Sequence, residues 1–466
     1  MKDIFQNNQF RFLAFVLLLG NAFLLPITAD EAYYFSWSRD LSLGYFDHPP
    51  LVAWMMGAVS PEYLRVPFLI LALGFVFLGK ERSIGKLIFI PGVHLFLGGA
   101  LPDTLMVIAG FMVLHSFRKW ANSRNLVNAL VLGVCIAVLG YSKFHGFLLI
   151  FSLAVGYWHL RKEWTLYIAI GIALVLMIPY LWWQMSMDWV TFRYHFSGRF
   201  GSSNIYALLE YIGLGGLLWW PLVLFFRQLP LWGKALIMSS VLLFGWGAYN
   251  GSAEVHWLLV FMWVVPVLEL PNSKRTRNVA YLIVILHALV WVPSIRDVLS
   301  LNDHFREDVL EINSKENVVF LDAYQDAAIY ELATGRESYS ISHPGIRKSQ
   351  YNLQPYPFDG AEVVVYNRMG MGELFFEGPF STVRETLYDL SDLHYRWEGW
   401  SLRFDASEIP QGYYWILYTY VDGIEQHRER LCPGSETPNA VFTAGTDQFL
   451  TLEKNWMPSG LWIPLP

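Results

Sequence analysis

Residues 126–160 read LVNALVLGVCIAVLGYSKFHGFLLIFSLAVGYWHL, and this stretch decides how the chain is built. As one continuous helix it would extend about 50 Å at ~1.5 Å per residue, well beyond the ~30 Å of a hydrocarbon core. Basic residues flank both ends, Arg124 before it and Arg161 with Lys162 after it. Two crossings joined by a tight bend satisfy both observations, and they predict that Lys143 lies on the face opposite to those basic flanks.

The composition is that of an integral membrane protein. Of the 466 residues 54% are hydrophobic, 17% are aromatic and only 15% are charged, against roughly 25% charged in ordinary soluble proteins. Apolar runs of spanning length end near residue 295, so we expect a transmembrane domain over 1–296 and a soluble, extracytoplasmic domain over 297–466. The net charge of −6 argues against nucleic acid as a partner. Cys135 and Cys432 imply no disulfide framework.

Eleven apolar segments are long enough, or nearly long enough, to span a membrane. Clusters of Lys and Arg fall in alternate loops between them, as the positive-inside rule requires. The sequence therefore predicts about eleven transmembrane helices and a C-terminal part outside the cytoplasm. A cleaved signal peptide is the other interpretation of the first segment, but a retained helix is favoured because many spans follow. The segments lie near 12–28, 64–79, 87–101, 104–117, 126–142, 144–158, 164–183, 205–226, 235–248, 256–270 and 278–295.

This topology collects ionisable side chains at the non-cytoplasmic face. Polar groups at membrane depth are costly, and they are retained mostly where they line a cavity or pair with one another. Their collection on one face therefore indicates a functional site. The set comprises Asp30, Glu31, Asp47, His48, Asp103, Lys143, Arg193, His195, Arg199, Glu254 and His256.

The first outer loop carries two adjacent carboxylates with a possible structural role. Thr28 and Glu31 have the spacing of a capping box, which predicts a helix along the interface through Trp37. Asp30 could itself cap that helix. A carboxylate fixed at a helix start beside the membrane is also well placed to accept a proton from an alcohol, with Glu31 helping to position it.

Other outer residues admit two interpretations each. Asp47 and His48 precede two prolines, which fix a rigid turn that either stiffens the loop or shapes a substrate pocket. Asp103 either caps the following helix or supplies a further carboxylate. Lys143 either extends to lipid headgroups or neutralises a lipid phosphate.

The most basic outer loop contains Arg193, His195 and Arg199. Guanidinium and imidazole donors match phosphate oxygens, which predicts an anionic substrate, and a solvated loop is the other interpretation. Glu254 and His256 open the tenth span, where they either anchor it at the interface or reach the substrate. A divalent metal is conceivable among these groups, but no HExxH-type spacing is present and we expect no cofactor to be required.

The C-terminal part alternates strand and helix patterns and contains no spanning segment. Its β-rich runs and the helical run between them predict a small α/β domain packed on the outer face of the membrane part. The runs are ENVVFLDAY (316–324), DAAIYELATG (326–335), AEVVVYN (361–367) and YYWILYTYV (413–421).

These motifs together resemble a known family. In chain order they are DEAYY, GYFDHPPL, PDTL, YSKFHGFLL, DWVTF with GRFG, and EVHW, followed in the C-terminal part by LDAYQDAAIYELATG and IRKSQYNL. The sequence is similar to GT-C membrane glycosyltransferases of the bacterial family 39/83 type. These are related to protein O-mannosyltransferases and to the aminoarabinose transferase that modifies lipid A. The resemblance covers most of the chain.

The resemblance implies transfer of one sugar from a polyprenyl-phosphate donor, such as undecaprenyl phosphate, at the periplasmic face of a bacterial inner membrane. Asp30 matches the family's first-loop catalytic acid, Asp103 matches its second acid, and Glu31 is expected to assist. The family often has Gln where this chain has His195, and a Pro-rich continuation where this chain has Trp257. The groups expected to bind substrate or phosphate are Lys143, Arg193, His195, Arg199, His256, Asp47, His48 and Glu254.

The expected reaction is an inverting displacement at the anomeric carbon. Positive groups stabilise the departing phosphate, and Asp30 acts as the base if the acceptor is a hydroxyl. Lipid A or another glycolipid is the expected acceptor, while a glycan or a protein hydroxyl stays open. A lipid or glycan flippase is the alternative from another class, and it predicts repeat symmetry that the sequence does not display. A non-catalytic membrane scaffold leaves the collected polar groups unexplained.

Overall fold

The computed structural model of the protein describes residues 8–78, 86–96, 99–195, 203–250, 253–270, 273–298, 306–312, 314–343, 347–368, 381–390, 393–398, 401–404, 409–421, 424–433, 447–454, 457–459 and 463–464. The chain divides into two compact units, Met1–Phe305 and Arg306–Pro466.

The first unit is built from helices. Its α-helices are α1 (Asn8–Leu24), α2 (Ala29–Trp37), α3 (Leu51–Met56), α4 (Val66–Leu78), α5 (Pro91–Phe96), α6 (Pro102–Ser123), α7 (Leu126–Ser142), α8 (Phe147–Gly156), α9 (Trp164–Ser186), α10 (Val190–Arg193), α11 (Ile205–Leu218), α12 (Trp220–Phe225), α13 (Leu231–Tyr249), α14 (Lys274–Leu289) and α15 (Pro293–Val298). Its 3₁₀ helices are Pro61–Tyr63, Phe144–Gly146, Trp158–Lys162, Phe226–Gln228 and Val255–Val267.

The apolar run 126–160 is broken at Lys143. Helix α7 ends at Ser142, Lys143 has an extended backbone with φ −163° and ψ 142°, and a 3₁₀ turn over Phe144–Gly146 leads into α8. The helix is therefore interrupted at the predicted position, while the two crossings stay a prediction. The interruption places the Lys143 ammonium at the C-terminal end of α7, where the helix dipole favours a cation.

The membrane character of the first unit follows from its apolar helices. Within the described residues, α9 and α13 are long and apolar enough to cross a membrane, and the number rises to four if two bent helix pairs each count as one span. Those pairs are α1 with α2, bent by 76°, and α11 with the helical stretch that ends at Gln228, bent by 80°. Large apolar side chains such as Leu174, Ile178 and Leu242 are exposed, as expected for a protein surface that faces lipid. The count of eleven spans stays a prediction.

Two predicted spans are not single straight α-helices. The segment 205–226 bends by 80° between α11 and α12, and Pro221 lies in the first turn of α12. Proline has no N–H and disfavours the α conformation of the preceding residue, so it suits a new helix start. The segment 256–270 is mostly the 3₁₀ helix Val255–Val267. At ~2.0 Å per residue this helix extends about 26 Å, longer than an α-helix of the same 13 residues.

The 3₁₀ helix Val255–Val267 packs closely on α6. The buried Trp263 donates its indole N–H to the carbonyl of Val107 over 3.1 Å. A Cβ atom added at Gly110 would lie 2.1 Å from Trp263 Nε1, so the absence of a side chain at this position allows the approach. The contact fixes two elements that both carry predicted site residues at their N-terminal ends.

The second unit combines three sheets and one α-helix within the described residues. Strand β1 lies between β2 and β3 and runs parallel to both, while β4 is antiparallel to β3. A five-stranded antiparallel sheet has the order β10-β9-β7-β8 with β11 paired to β9, and β5 pairs with β6. The elements are β1 (Asn317–Leu321), α16 (Tyr324–Thr334), β2 (Ser338–Ile341), β3 (Glu362–Asn367), β4 (Ser381–Thr386), β5 (Tyr395–Glu398), β6 (Ser401–Phe404), β7 (Tyr414–Val421), β8 (Ile424–Pro433), β9 (Asp447–Lys454), β10 (Met457–Pro458) and β11 (Ile463–Pro464), with 3₁₀ helices Glu307–Glu311 and Gln350–Leu353.

Local sequence patterns account for the elements of the second unit that were predicted. The β-rich runs are β1, β3 and β7, and the helical run is α16, which ends at Gly335 with φ +69°. The left-handed backbone conformation required at that position is one that glycine adopts without steric cost. Alternate residues of β1 and β3, including Val319 and Val363, form an apolar core. The placement of the second unit outside the cytoplasm stays a prediction.

The packing of α6 on the 3₁₀ helix gives a test of the fold. Gly110→Ala should destabilise the protein by about 1–3 kcal/mol, because the new methyl group meets the rigid Trp263 ring. Gly171→Ala on α9 is the matched control, since nothing lies within 4 Å of its added Cβ. The thermal unfolding midpoint in detergent should fall for the first variant and stay constant or rise for the second. Equal midpoints for both variants would contradict this packing.

Candidate active site

Helix α2 presents the two acidic residues of the first outer loop. The Thr28 hydroxyl accepts from the Glu31 backbone N–H over 3.2 Å, and the Glu31 carboxylate accepts from the Thr28 backbone N–H over 2.9 Å. The predicted capping box is therefore confirmed. Asp30 lies in the first turn of α2 and is half-buried. The positive end of the helix dipole favours a carboxylate at this position.

Asp103 and Lys143 form a buried ion pair. Lys143 Nζ lies 2.8 Å and 2.7 Å from the two carboxylate oxygens of Asp103, and the residues are 2% and 3% exposed. Asp103 is in the first turn of α6, whose N-cap is Leu101. Asp103 is therefore not the helix cap, because Leu101 occupies that position, and Lys143 is not a headgroup anchor, because its side chain is buried.

His256 extends this pair toward the surface. Its Nε2 atom is 3.8 Å from Asp103 Oδ2, and its Nδ1 atom is 3.2 Å from Glu254 Oε2. The His256 side chain is partly exposed and that of Glu254 is exposed. Four residues from three separate segments therefore form one polar chain that leads from a buried ammonium to the protein surface.

A second cluster brings together Asp47, His48 and His195. His195 Nε2 donates to the backbone carbonyl of Asp47 over 2.8 Å, and the His48 and His195 rings are 6.0 Å apart between centroids. Asp47 and His48 are buried. The Phe144 ring lies 5.9 Å from the His195 ring, so this cluster adjoins the chain segment that carries Lys143.

Aromatic rings connect α2 to the second cluster. Tyr34 and Trp37 lie 5.6 Å and 6.4 Å from the His48 ring, and Trp37 stacks on Tyr45 with centroids 4.7 Å apart. All these rings are buried. The helix that presents Asp30 is consequently fixed against the loop that precedes the two prolines.

A hydrogen-bond network that the sequence analysis missed holds this loop. Gln184 Nε2 donates to the Tyr180 hydroxyl over 2.8 Å and to Thr191 Oγ1 over 2.6 Å, and Thr191 Oγ1 donates to the Tyr45 carbonyl over 2.9 Å. Gln184 and Thr191 are fully buried. Thr191 and Tyr45 are 146 positions apart, and no local pattern marks such a pair.

Glu31 pairs with Arg65, which the sequence analysis also missed. Arg65 Nε and Nη2 donate to the two Glu31 oxygens over 2.7 Å and 2.6 Å, and the backbone N–H of Ala100 donates to the same carboxylate over 2.8 Å. Both side chains are buried. One signal was present, because Arg65 lies at the outer end of the predicted span 64–79, against the positive-inside rule.

The environment of Glu31 keeps its carboxylate ionised. Burial alone raises the pKa of Glu31, but the charge and hydrogen bonds of Arg65 lower it, as do the backbone N–H groups of Thr28 and Ala100. The net result is a Glu31 pKa below its ordinary value. An ionised, bidentately held carboxylate is an anchoring group.

Two further residues were predicted to bind phosphate, Arg193 and Arg199. Arg193 is exposed and forms an ion pair with the exposed Asp188. Arg199 lies outside the described residues. Within the described part of the chain, no group of three or more His, Cys, Asp or Glu side chains is arranged to hold a metal ion. The expectation that no cofactor is required stays an expectation.

The arrangement supplies two complementary kinds of group. The Asp30 carboxylate can accept a proton, while Lys143 and His256 can donate hydrogen bonds to an anion. An ammonium has three N–H donors, and the two oxygens of Asp103 account for two. A displacement by a hydroxyl with an anionic leaving group uses both kinds of group.

Comparison with known proteins supports the same class of chemistry. The chain is similar to the lipid A galacturonosyltransferase RgtD of Rhizobium johnstonii (strain DSM 114642 / LMG 32736 / 3841), with 24% identity over 188 residues. The match covers 35% of this chain, and the chain spans 40% of the length of that relative. No family model and no solved structure matches. The similarity supports the glycosyltransferase superfamily and a transferase activity, and it does not extend to a specific family within it.

Proposed function

We propose that this protein is a GT-C type glycosyltransferase that moves one sugar from a polyprenyl-phosphate donor to lipid A or a similar glycolipid. The observation that carries the proposal is the buried Lys143 ammonium at the break between two apolar helices, paired with Asp103 beside the partly exposed His256. A cation at such a break suits the phosphate of a donor whose chain lies in the lipid. The acceptor class is supported by the similarity to RgtD.

The proposed reaction is an inverting displacement. An acceptor oxygen forms a bond to the anomeric carbon while the bond from that carbon to the phosphate oxygen breaks, and the electron pair leaves with the phosphate. The proton of an acceptor hydroxyl passes to Asp30. Lys143 and His256 stabilise the charge that develops on the departing phosphate. With a phosphate acceptor, which is already ionised, Asp30 orients the acceptor instead.

The second cluster is proposed to shape the donor pocket. His48 and His195 lie beside Phe144, the neighbour of Lys143, and imidazoles are suited to hydrogen bonds with phosphate or sugar oxygens. Glu254 is proposed to set the orientation of the His256 ring, since a carboxylate near one ring nitrogen fixes which nitrogen carries the proton.

We propose that residues 1–296 form the transferase domain in the bacterial inner membrane. The site and the domain over 297–466 then face the periplasm, because an odd number of spans with basic loops inside places the chain end outside.

Reporter fusions test this orientation. Alkaline phosphatase becomes active only after export, so a fusion after Pro466 should be active and a fusion after Arg124 should be inactive. The second fusion point lies in a predicted cytoplasmic loop and serves as the control. The reverse pattern of activities would contradict the proposed periplasmic site.

The role of Asp30 is tested by Asp30→Asn in liposomes that contain lipid A and labelled polyprenyl-phosphate sugars. Transfer should fall by about 10²–10⁴-fold, the range expected when a general base is removed. Asp297→Asn, at an exposed position of α15, is the matched control and should keep full activity. Polyprenyl-phosphate galacturonic acid is the first donor to test, followed by a hexose, a pentose and a hexosamine. Full transfer by a folded Asp30→Asn protein would exclude this residue as the base.

The role of the Asp103–Lys143 pair is tested by comparing single and double variants. Lys143→Met leaves a buried carboxylate without its cation and should destabilise the protein by about 3–5 kcal/mol. Asp103→Asn/Lys143→Met removes both charges, so the thermal unfolding midpoint should recover while transfer stays low. A double variant that transfers sugar at the original rate would refute the proposed phosphate contact.

A further inference from the structure

Arg65 makes more hydrogen bonds than its ion pair with Glu31 requires. Its Nη1 atom donates to the carbonyls of Asn21, Ala22 and Leu25 over 3.1, 3.3 and 2.7 Å, and its Nη2 atom donates to the carbonyl of Pro26 over 2.7 Å. The last carbonyls of a helix have no partner within that helix. Arg65 therefore closes the C-terminal end of α1 and the turn that follows it.

Glu31 accepts hydrogen bonds from three other parts of the first unit. Its carboxylate accepts from Arg65 at the start of α4, from Thr28 ahead of α2, and from Ala100 ahead of α6. The two side chains thus join four helix ends from three separate parts of the chain. The pair links the end of α1, the start of α2, the start of α4 and the chain that enters α6.

Both candidate carboxylates lie next to this junction. Asp30 is the neighbour of Glu31 in the first turn of α2, and Asp103 follows Ala100 by three residues at the start of α6. A shift of Glu31 must therefore change where Asp30 and the Asp103–Lys143 pair sit relative to one another. Misplacement of reacting groups by about 1 Å can cost about 10²-fold in rate.

The junction also reaches a late helix of the first unit. Asn21, whose carbonyl accepts from Arg65, accepts at its side-chain oxygen from His287 Nε2 over 2.6 Å and from Trp291 Nε1 over 2.9 Å. Asn21 and His287 are buried. Polar contacts therefore run from α14 through α1 to the start of α2.

We propose that Glu31 and Arg65 are positioning residues, which set the distance between Asp30 and the Asp103–Lys143 pair and do not themselves contact the reacting atoms. This inference rests on the proposed glycosyl transfer, and it reassigns Glu31 from a catalytic role to one exerted through its neighbours.

Two variants separate positioning from chemistry. Glu31→Gln removes the charge but keeps a side chain that can accept from Thr28. Glu31→Gln/Arg65→Met removes both charges, so no unpaired buried ion remains to unfold the protein. Glu163→Gln/Arg124→Met breaks an ion pair of the same types whose side chains are 28% and 48% exposed. That exposed pair serves as the control and should leave transfer unchanged.

The kinetic result expected for a positioning pair is specific. In both Glu31 variants kcat should fall by about 10- to 100-fold through misplacement, while KM for the donor stays within about twofold. The acid limb of the pH profile of kcat/KM should stay in place, because Glu31 takes up no proton during the reaction. The double variant should lose little more than Glu31→Gln, since the two side chains act as one unit. Full activity, or a lost acid limb, would overturn the proposal.

Hydrogen exchange gives a readout that does not depend on activity. The backbone N–H groups of Thr28 and Ala100 both donate to Glu31, so peptides that contain them should exchange faster in the double variant than in the original protein or the control. Unchanged exchange would overturn the proposed junction. If the original protein transfers no sugar from any donor, the proposed function fails, and the exchange measurement still decides whether the pair holds the two segments.

Discussion

The buried ion pair between Lys143 and Asp103 is the constraint on which the candidate site depends. Removing two charges from water costs several kcal/mol per ion, which only close geometry and further compensating charge can offset. Both carboxylate oxygens lie within 2.8 Å of the ammonium, and the start of α6 and the end of α7 add favourable dipoles. These two helices cannot separate at this point without leaving a charge unpaired. The pair also restricts the positions of its neighbours His256 and Phe144.

Features set by local chemistry could be predicted from the sequence. The interruption of the helix at Lys143 follows from a run of apolar residues too long for one crossing, and the capping box follows from the three-residue separation of Thr28 and Glu31. Strands β1, β3 and β7 follow from β-branched and aromatic runs. The site residues Asp103, Lys143 and His256 were predicted to share one face, and the structure brings them into contact.

Features set by tertiary partners could not be predicted in the same way. Arg65 is 34 positions from Glu31, and Thr191 is 146 positions from Tyr45, so no periodicity marks either pair. The 3₁₀ helix Val255–Val267 has the composition of an ordinary apolar span, and its tighter winding accompanies close packing on α6, where Gly110 admits the Trp263 ring. Arg193 was predicted by its charge alone, and its ion pair with the exposed Asp188 was not predicted.

The roles proposed for the acidic residues of the site follow from the cations that hold two of them. A general base must gain a proton during the reaction, and a buried carboxylate that does so leaves its cation unpaired at a cost of several kcal/mol. Glu31 and Asp103 are each held by both oxygens, through Arg65 and Lys143. Asp30 lies in the first turn of α2 and is half-buried, so it is more accessible to an acceptor than Glu31 or Asp103. The same charge balance that holds Glu31 and Asp103 in place therefore favours Asp30 as the proton acceptor in the proposed reaction.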